Sequence, residues 1–186
     1  GDELTVLDVA LERNAAALER QLARGAKCIY FDHHFSGAVP SHPLLKTFID
    51  TAPDVCTSLL VDRYLDGGQR VWAVVAAFGD NLARVARKAA VPLDLGEPQV
   101  ALLQELGENI NYNAYGDSID DLSYHPADLY QTLSRYRDPF AFISDEPVFD
   151  VLSAGRADDL YRACAVEPEF AGTRSALYVL PDAAWS

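Results

Sequence analysis

The beginning of the chain alternates short apolar runs with a segment of helical periodicity. Residues 4–9 form an apolar run rich in β-branched side chains, which predicts a buried strand ending near Asp8. Asn14 is a candidate N-cap for the helix that follows, and Gly25 is suited to end it. Apolar residues recur along one face of that helix: Leu11, Ala15, Leu18 and Leu22. The pattern predicts a strand followed by an amphipathic helix.

A second apolar run, residues 27–31, leads directly into Asp32 and is followed by His33 and His34. Strand, helix and strand in this order predict a β-α-β unit with two parallel neighbouring strands. In such sheets ligands bind beyond the carboxyl ends of the strands. We therefore expect Asp8, Asp32 and both histidines at the same edge of the sheet.

Helical patterns dominate the rest of the chain. Residues 44–50 are strand-like, whereas residues 55–68 have a helical pattern that glycines end. Residues 71–81 are ambiguous, because their valines favour a strand and their alanines a helix, and we interpret them as a buried helix. Further helices are predicted over residues 97–110, 125–139 and 157–168, and a last, unpaired strand over residues 176–180. The predicted fold class is α/β, with a mostly parallel sheet flanked by helices and a helical C-terminal half.

Charge narrows the classes of partner. The 186 residues carry a formal net charge of −13, which argues against a protein that binds a long nucleic acid along its backbone. A small phosphorylated substrate stays compatible with this charge, because bound divalent cations reverse the local field. No apolar run approaches the roughly 18 residues that cross a bilayer, so no membrane span is expected. Oligomeric state is not readable from the sequence.

Three cysteines, Cys28, Cys56 and Cys164, lie far apart among apolar neighbours and form no Cys-x-x-Cys pair. This usage favours buried thiols over a disulfide framework or a zinc site. It also fits a reducing compartment, so a cytoplasmic location is expected.

Carboxylate and imidazole groups at strand ends suit a divalent cation. Their combination fits Mn²⁺, Mg²⁺, Fe²⁺ or Zn²⁺. Asp80, which follows an apolar segment and a glycine, is a candidate further ligand. Sites of this kind place two cations about 3.5–4 Å apart, where they activate a water for phosphoryl displacement. Taken singly, Asp8 and Asp80 are each typical of a turn or cap, and only the joint pattern favours a metal site.

These residues resemble the motifs of the DHH phosphoesterase superfamily, which includes exonucleases, dinucleotide phosphodiesterases, exopolyphosphatases and inorganic pyrophosphatases. The match consists of Asp32-His33-His34 after an apolar strand, Asp8 ending the preceding strand, and a Gly-Asp pair at Asp80. The resemblance implies that Asp8 bridges two Mn²⁺ or Mg²⁺ ions and that His33 and Asp80 are metal ligands. It implies catalytic roles for His34, which contacts the substrate phosphate, and for Asp32, which supports the metal ligands without binding the metal itself.

One motif of the superfamily has no counterpart in the chain. An Asp-x-Asp on an earlier strand is expected before Asp8 and is absent. By the resemblance, residues 1–155 are a DHH-type domain without its N-terminal strand or strands. Residues 156–186 are then a linker helix and the first strand of a truncated second domain. Two ions are expected in the complete protein, but at most one in this chain, with weak or no phosphodiesterase activity.

Two classes of function stay open. The first is a metal-dependent phosphoesterase that hydrolyses a small phosphodiester or phosphoanhydride, such as a short oligonucleotide, a dinucleotide or an inorganic phosphoanhydride. The alternative is a non-catalytic DHH-like module that binds a nucleotide or a protein partner. An Asp-x-Asp strand in the complete protein would favour the enzyme.

Polar residues also concentrate in residues 109–126, which are rich in Asn, Tyr, Asp and His. This segment is either a loop that faces substrate or a second metal, or a polar connection between helices with Tyr112 and Tyr115 packed inward. The second interpretation is favoured. His42 and His125 each precede a proline and are expected in turns.

Overall fold

The computed structural model describes residues 1–181 and 183–184, and the chain forms two compact units, Gly1–Leu95 and Gly96–Ser186. The first unit contains these elements in order: β1 (Glu3–Leu7), α1 (Leu11–Ala23), β2 (Lys27–Asp32), β3 (Leu45–Ile49), α2 (Thr57–Tyr64), α3 (Arg70–Gly79) and α4 (Ala83–Ala90), followed by a short 3₁₀ turn (Val91–Leu93). Strands and helices in this arrangement confirm the predicted α/β class.

The sheet of the first unit is parallel throughout, in the order β1-β2-β3. This confirms the β-α-β prediction for β1, α1 and β2, but β1 is an edge strand with no buried residue, so the prediction that it is buried is wrong. Successive side chains of β2 face opposite sides of the sheet, so each side has its own apolar cluster. The cluster on the α1 side comprises Leu11, Leu18, Leu22, Cys28 and Tyr30. The cluster on the opposite side comprises Phe31, Val55 and Leu60.

The start of α1 differs from the prediction. Asn14 lies inside the helix, where its side-chain Nδ2 donates to the Ala10 carbonyl oxygen at 3.0 Å, so it is not the N-cap. The first N–H of the helix, from Leu11, instead donates to Asp32 Oδ2 at 3.3 Å. The end agrees with the prediction, because Gly25 adopts a φ of 84° just beyond the helix.

The ambiguous segment 71–81 is helical through Gly79, as interpreted, and belongs to α3. Apolar residues are buried along most of α3. The sequence therefore shows neither the 3.6-residue period of an amphipathic helix nor the two-residue period of a half-buried strand. Asn81 has a φ of 58° and takes the place of the glycine that usually ends a helix in the Schellman motif. Both hydrogen bonds of that motif are present: Asn81 N–H to Phe78 O and Leu82 N–H to Ala77 O. Asp80 is thereby fixed at the C-cap of α3.

The second unit is mainly helical. Its elements are α5 (Glu97–Tyr112), a 3₁₀ turn (Ile119–Asp121), α6 (Pro126–Leu133), α7 (Pro139–Asp145), α8 (Val148–Cys164), β4 (Phe170–Ala171) and β5 (Ala176–Leu177). In residues 1–181 and 183–184, no helix is both long and apolar enough to cross a membrane.

Three predictions for the second unit need correction. The helix predicted over residues 125–139 ends at Leu133, and Pro139 begins a separate helix, since proline suits a first turn. Helix α8 begins at Val148, well before residue 157. The final strand is not alone, because β5 pairs antiparallel with β4, and it covers less than residues 176–180.

Residues 113–125 form a connection between α5 and α6 that Asn113 holds in place. Its side chain donates to the Tyr124 carbonyl oxygen at 2.7 Å and accepts from the Tyr124 N–H at 3.0 Å. Tyr112 is partly buried, as expected, but Tyr115 is 58% exposed, so the prediction that both pack inward is half wrong. The expected division at residues 155 and 156 falls inside α8 and stays a prediction.

The cysteines also differ from expectation at one position. Cys28 and Cys56 are buried, each 1% exposed, whereas Cys164 is exposed at the end of α8. All three are free thiols. The apolar neighbours of Cys164 in sequence do not surround it, because the last turn of a surface helix exposes most of its positions.

Candidate metal centre

Asp8 leaves β1 in a conformation that β2 fixes. Its N–H donates to the Phe31 carbonyl oxygen at 3.0 Å, and the Val9 carbonyl oxygen accepts a 2.5 Å hydrogen bond from the Tyr30 hydroxyl. Asp8 has a φ of 59°, in the left-handed region that Asp tolerates better than most residues. The chain therefore turns at Asp8, at the carboxyl end of the sheet.

His33 lies against Asp8, and its other ring nitrogen contacts a backbone acceptor. Its Nδ1 is 2.9 Å from the Val55 carbonyl oxygen, an acceptor, so the neutral ring carries its proton on Nδ1. Nε2 then has a free lone pair, and it faces Asp8 Oδ1 at 3.5 Å. That separation exceeds the roughly 2.7–2.9 Å of a charge-assisted hydrogen bond. Two acceptors arranged in this way suit a cation between them better than a shared proton.

Asp32 lies behind the histidines and organises the loop that carries them. It is completely buried, and its Oδ1 accepts from the His33 N–H at 2.9 Å and the His34 N–H at 3.2 Å. The same oxygen is 2.7 Å from Nδ1 of the His34 ring, while Oδ2 accepts from Leu11 N–H. These bonds compensate the buried charge, and Oδ2 also binds the positive end of the α1 dipole. Asp32 therefore orients His34 and leaves its Nε2 free.

Asp8, His33 and His34 are close enough to share one cation. Each offers one ligand atom, and these atoms all lie within 4.8 Å of one another. Metal–ligand bonds of about 2.1 Å place ligand atoms about 3 Å apart at adjacent positions and about 4.2 Å apart at opposite ones. The cluster therefore fits a single ion after side-chain movements of about half an ångström. One carboxylate and two imidazoles suit Mn²⁺, Fe²⁺ or Zn²⁺.

Asp80 is near this cluster but is not one of its close members. Among the described residues, the group of ligand atoms within reach of one ion comprises only Asp8, His33 and His34. Asp80 is an exposed residue, yet partial desolvation of its carboxyl raises its pKa, and the charge of Asp8 raises it further, whereas His33 and His34 lower it. These interactions place Asp80 within electrostatic range of the three residues. Its role as a ligand stays a prediction.

Two groups that position the candidate ligands were not predicted from the sequence. Thr57, at the start of α2, donates from Oγ1 to Asp8 Oδ1 at 2.6 Å, and the Val55 carbonyl oxygen binds His33. Both depend on where the 55–57 segment docks against the sheet, which local patterns do not reveal. A hydroxyl residue at the start of a predicted helix was the one available signal, and it is more often only a cap.

The other two histidines lie in local turns, as expected. His42 accepts a hydrogen bond from the Leu44 N–H at 3.2 Å, and His125 accepts one from the Ala127 N–H at 3.2 Å at the start of α6. Neither belongs to the cluster of Asp8, His33 and His34. The loop of residues 109–126 likewise contributes no member to that cluster.

Comparison with known proteins adds no relative: no protein-family model, no curated protein and no solved structure matches this chain. The functional assignment therefore depends on the geometry of the site and on the sequence motifs.

Proposed function

We propose that this protein is a metal-dependent phosphoesterase of DHH type, which hydrolyses a small phosphodiester or phosphoanhydride. The observation that carries the proposal is the contact between His33 and Asp8. When the His33 ring is neutral, the hydrogen bond from Nδ1 to Val55 O leaves the Nε2 lone pair directed at a carboxylate oxygen 3.5 Å away, and a cation bound between these two acceptors would remove their repulsion.

The chain's residues have distinct tasks in this proposal. Asp8 and His33 hold the cation, and Thr57 and the Val55 carbonyl keep both side chains in position. His34, anchored to Asp32, presents the Nε2 lone pair to the cation. When the ring is protonated, it instead donates a hydrogen bond from Nε2–H to a phosphate oxygen. A bound Mn²⁺ or Mg²⁺ would supply Lewis acidity toward phosphoryl oxygens and lower the pKa of a coordinated water.

The number of available ligands limits how many ions bind tightly. The described residues offer one compact group of three ligand atoms, with a further carboxylate at Asp80 nearby. A two-ion site needs a bridging carboxylate and additional ligands for the second ion. We therefore expect one tight Mn²⁺ per chain, and low hydrolytic activity for residues 1–186.

The test combines metal binding with catalysis. Mn²⁺ binding is measured by calorimetry, and hydrolysis of bis(4-nitrophenyl) phosphate is followed with and without Mn²⁺, for the wild type and for His33→Ala. His42→Asn is the matched control, because it changes a histidine of the same unit that lies outside the cluster and keeps a turn-forming acceptor. We expect His33→Ala to abolish tight Mn²⁺ binding and any Mn²⁺-dependent hydrolysis, and His42→Asn to change neither.

The outcomes separate the two classes of function. Mn²⁺-dependent hydrolysis that requires His33 supports the phosphoesterase. Tight Mn²⁺ binding without hydrolysis by the complete protein would favour a non-catalytic binding module. Mn²⁺ binding that survives His33→Ala, or two equally tight sites per chain, would contradict the proposed centre.

A further inference from the structure

The side chain of Phe35 is far more exposed to solvent than those of Phe31 and Phe78 in the first unit. Its exposed fraction is 70%, whereas Phe31 and Phe78 are each 3% exposed. Phe48 stacks on Phe31 with ring centroids 4.8 Å apart. Within residues 1–181 and 183–184, no ring contact involves Phe35. A bare phenyl group forgoes roughly 1.5–3 kcal/mol of burial, and a ligand that covered the ring would recover part of this free energy.

Phe35 directly follows a member of the candidate metal centre. Its Cα lies about 3.8 Å from that of His34, whose ring is anchored on the buried Asp32. Two more exposed apolar residues, Leu7 (48%) and Val9 (42%), stand on either side of Asp8 in the chain. We call Leu7, Val9 and Phe35 the apolar rim. The residues next to the candidate ligands are thus apolar and accessible to solvent.

The same segments contain no lysine or arginine. Residues 3–12, 32–43, 54–60 and 78–83, which carry the candidate ligands and Thr57, include neither Lys nor Arg. A phosphoanhydride chain has several charges to neutralise and no surface that an exposed phenyl ring would contact. A phosphate ester with a planar organic group needs one cation to bind its phosphate and an aromatic surface to stack on its planar group.

We propose that Phe35 is a specificity-determining residue, whose ring contacts the base of a nucleoside phosphate held by the cation at Asp8, His33 and His34. This inference rests on the proposed function, because it requires a cation at that cluster. It narrows the substrate from any small phosphate compound to a nucleotide or a short oligonucleotide. Inorganic phosphoanhydrides are then poor ligands.

The test compares two ligands that differ only by the base. Binding of adenosine 5′-monophosphate and of ribose 5-phosphate is measured by calorimetry in the presence of Mn²⁺. The wild type should bind the nucleotide more tightly. Phe35→Ala should weaken nucleotide binding about 5- to 150-fold, the usual loss for one base–aromatic contact, and leave ribose 5-phosphate unaffected. Phe35→Trp should keep the preference for the nucleotide.

Val39→Ala is the matched control, since Val39 is another exposed apolar residue, 43% exposed, a few positions along the same loop. It should leave both affinities unchanged. Equal wild-type affinities for the two ligands, or equal losses for both in Phe35→Ala, would overturn the role of Phe35 while Mn²⁺ binding stands. Absence of Mn²⁺ binding in the wild type would overturn the proposed function itself, and this inference with it.

Discussion

Nε2 of His33 faces Oδ1 of Asp8 at 3.5 Å, and both groups are held by other parts of the protein. The Val55 carbonyl oxygen fixes the His33 ring from the far side, and the Thr57 hydroxyl donates to the same Asp8 oxygen. These contacts connect three segments: the loop after β1, the loop after β2 and the start of α2. The candidate ligands are therefore positioned before any cation arrives, which reduces the cost of binding one.

Thr57→Val tests this positioning. The change removes the hydroxyl that donates to Asp8 at 2.6 Å and keeps the branched shape of the side chain. Loss of a hydrogen bond to a ligating group typically costs about 10–100-fold in metal affinity, and we expect a loss in this range for Mn²⁺. Calorimetric titration measures it.

Ser58→Ala is the control for Thr57→Val, because Ser58 is the next residue of α2. It should leave the Mn²⁺ affinity unchanged. A similar loss in both variants would mean that α2 as a whole is perturbed and that the Thr57 hydroxyl has no specific role.

Asp32→Asn is expected to destabilise the first unit. The carboxylate is completely buried and accepts from three backbone N–H groups and the His34 ring, whereas an amide has one acceptor oxygen and would direct its NH₂ group at some of these donors. The unfolding free energy should fall by about 2–4 kcal/mol, measured by urea denaturation. Asp50→Asn, at a half-exposed aspartate of the same unit, should change stability little. Equal effects would contradict the organising role of Asp32.

The part of the candidate site that lies at the strand ends could be predicted from the sequence by a rule of sheet geometry. Parallel strands end at the same edge, so Asp8, His33 and His34 were expected together before the structure was known. The contacts of Thr57 and Val55 were not predictable, because they depend on how α2 packs against the sheet. The position of Asp80 relative to the site depends in the same way on the docking of α3.

Local patterns also failed where a residue distant in the sequence decides the local structure. Asn14 is a good N-cap residue, but the buried Asp32 carboxylate takes the first N–H of α1 and shifts the start of the helix. Tyr112 and Tyr115 lie three positions apart, yet among the described residues only the Tyr112 hydroxyl has a hydrogen-bond partner, Asp159 of α8. These differences arise from tertiary contacts and not from propensity.

Gly155→Ala is expected to destabilise the second unit despite the better helix propensity of alanine. A Cβ at position 155 would lie 1.8 Å from Oγ and 2.7 Å from Cβ of Ser123. Relieving this overlap should cost about 1–3 kcal/mol, more than the gain of roughly 1 kcal/mol from propensity. In a Ser123→Gly background the overlap disappears, and Gly155→Ala should become neutral or stabilising. Urea denaturation of the four proteins tests this, and a loss that persists in the Ser123→Gly background would contradict the steric explanation.

Tyr112 should make stability depend on pH in the alkaline range. Burial raises the pKa of Tyr112, and the hydrogen bond to Asp159 and the negative charge of Asp159 raise it further, to about 12. The hydroxyl donates to Asp159 Oδ2 at 3.0 Å, which only the neutral phenol can do. Because the folded pKa lies above the unfolded value of about 10, the stabilisation is complete below about pH 10 and is lost as the pH rises toward 12.

Tyr112→Phe isolates this contribution. It should lower the unfolding free energy by about 1–2 kcal/mol at neutral pH, near the lower end of the range for a hydrogen bond to a charged group, because Tyr112 is only partly buried. The difference from the wild type should shrink above about pH 10, where the unfolded tyrosine ionises first. Tyr115→Phe, at a tyrosine that is 58% exposed, should show neither effect. Urea denaturation at several alkaline pH values measures the unfolding free energy of each variant. Ionisation of the phenol must break the bond to Asp159. A free-energy difference between Tyr112→Phe and the wild type that stays constant above the unfolded pKa would therefore contradict the assigned donor role.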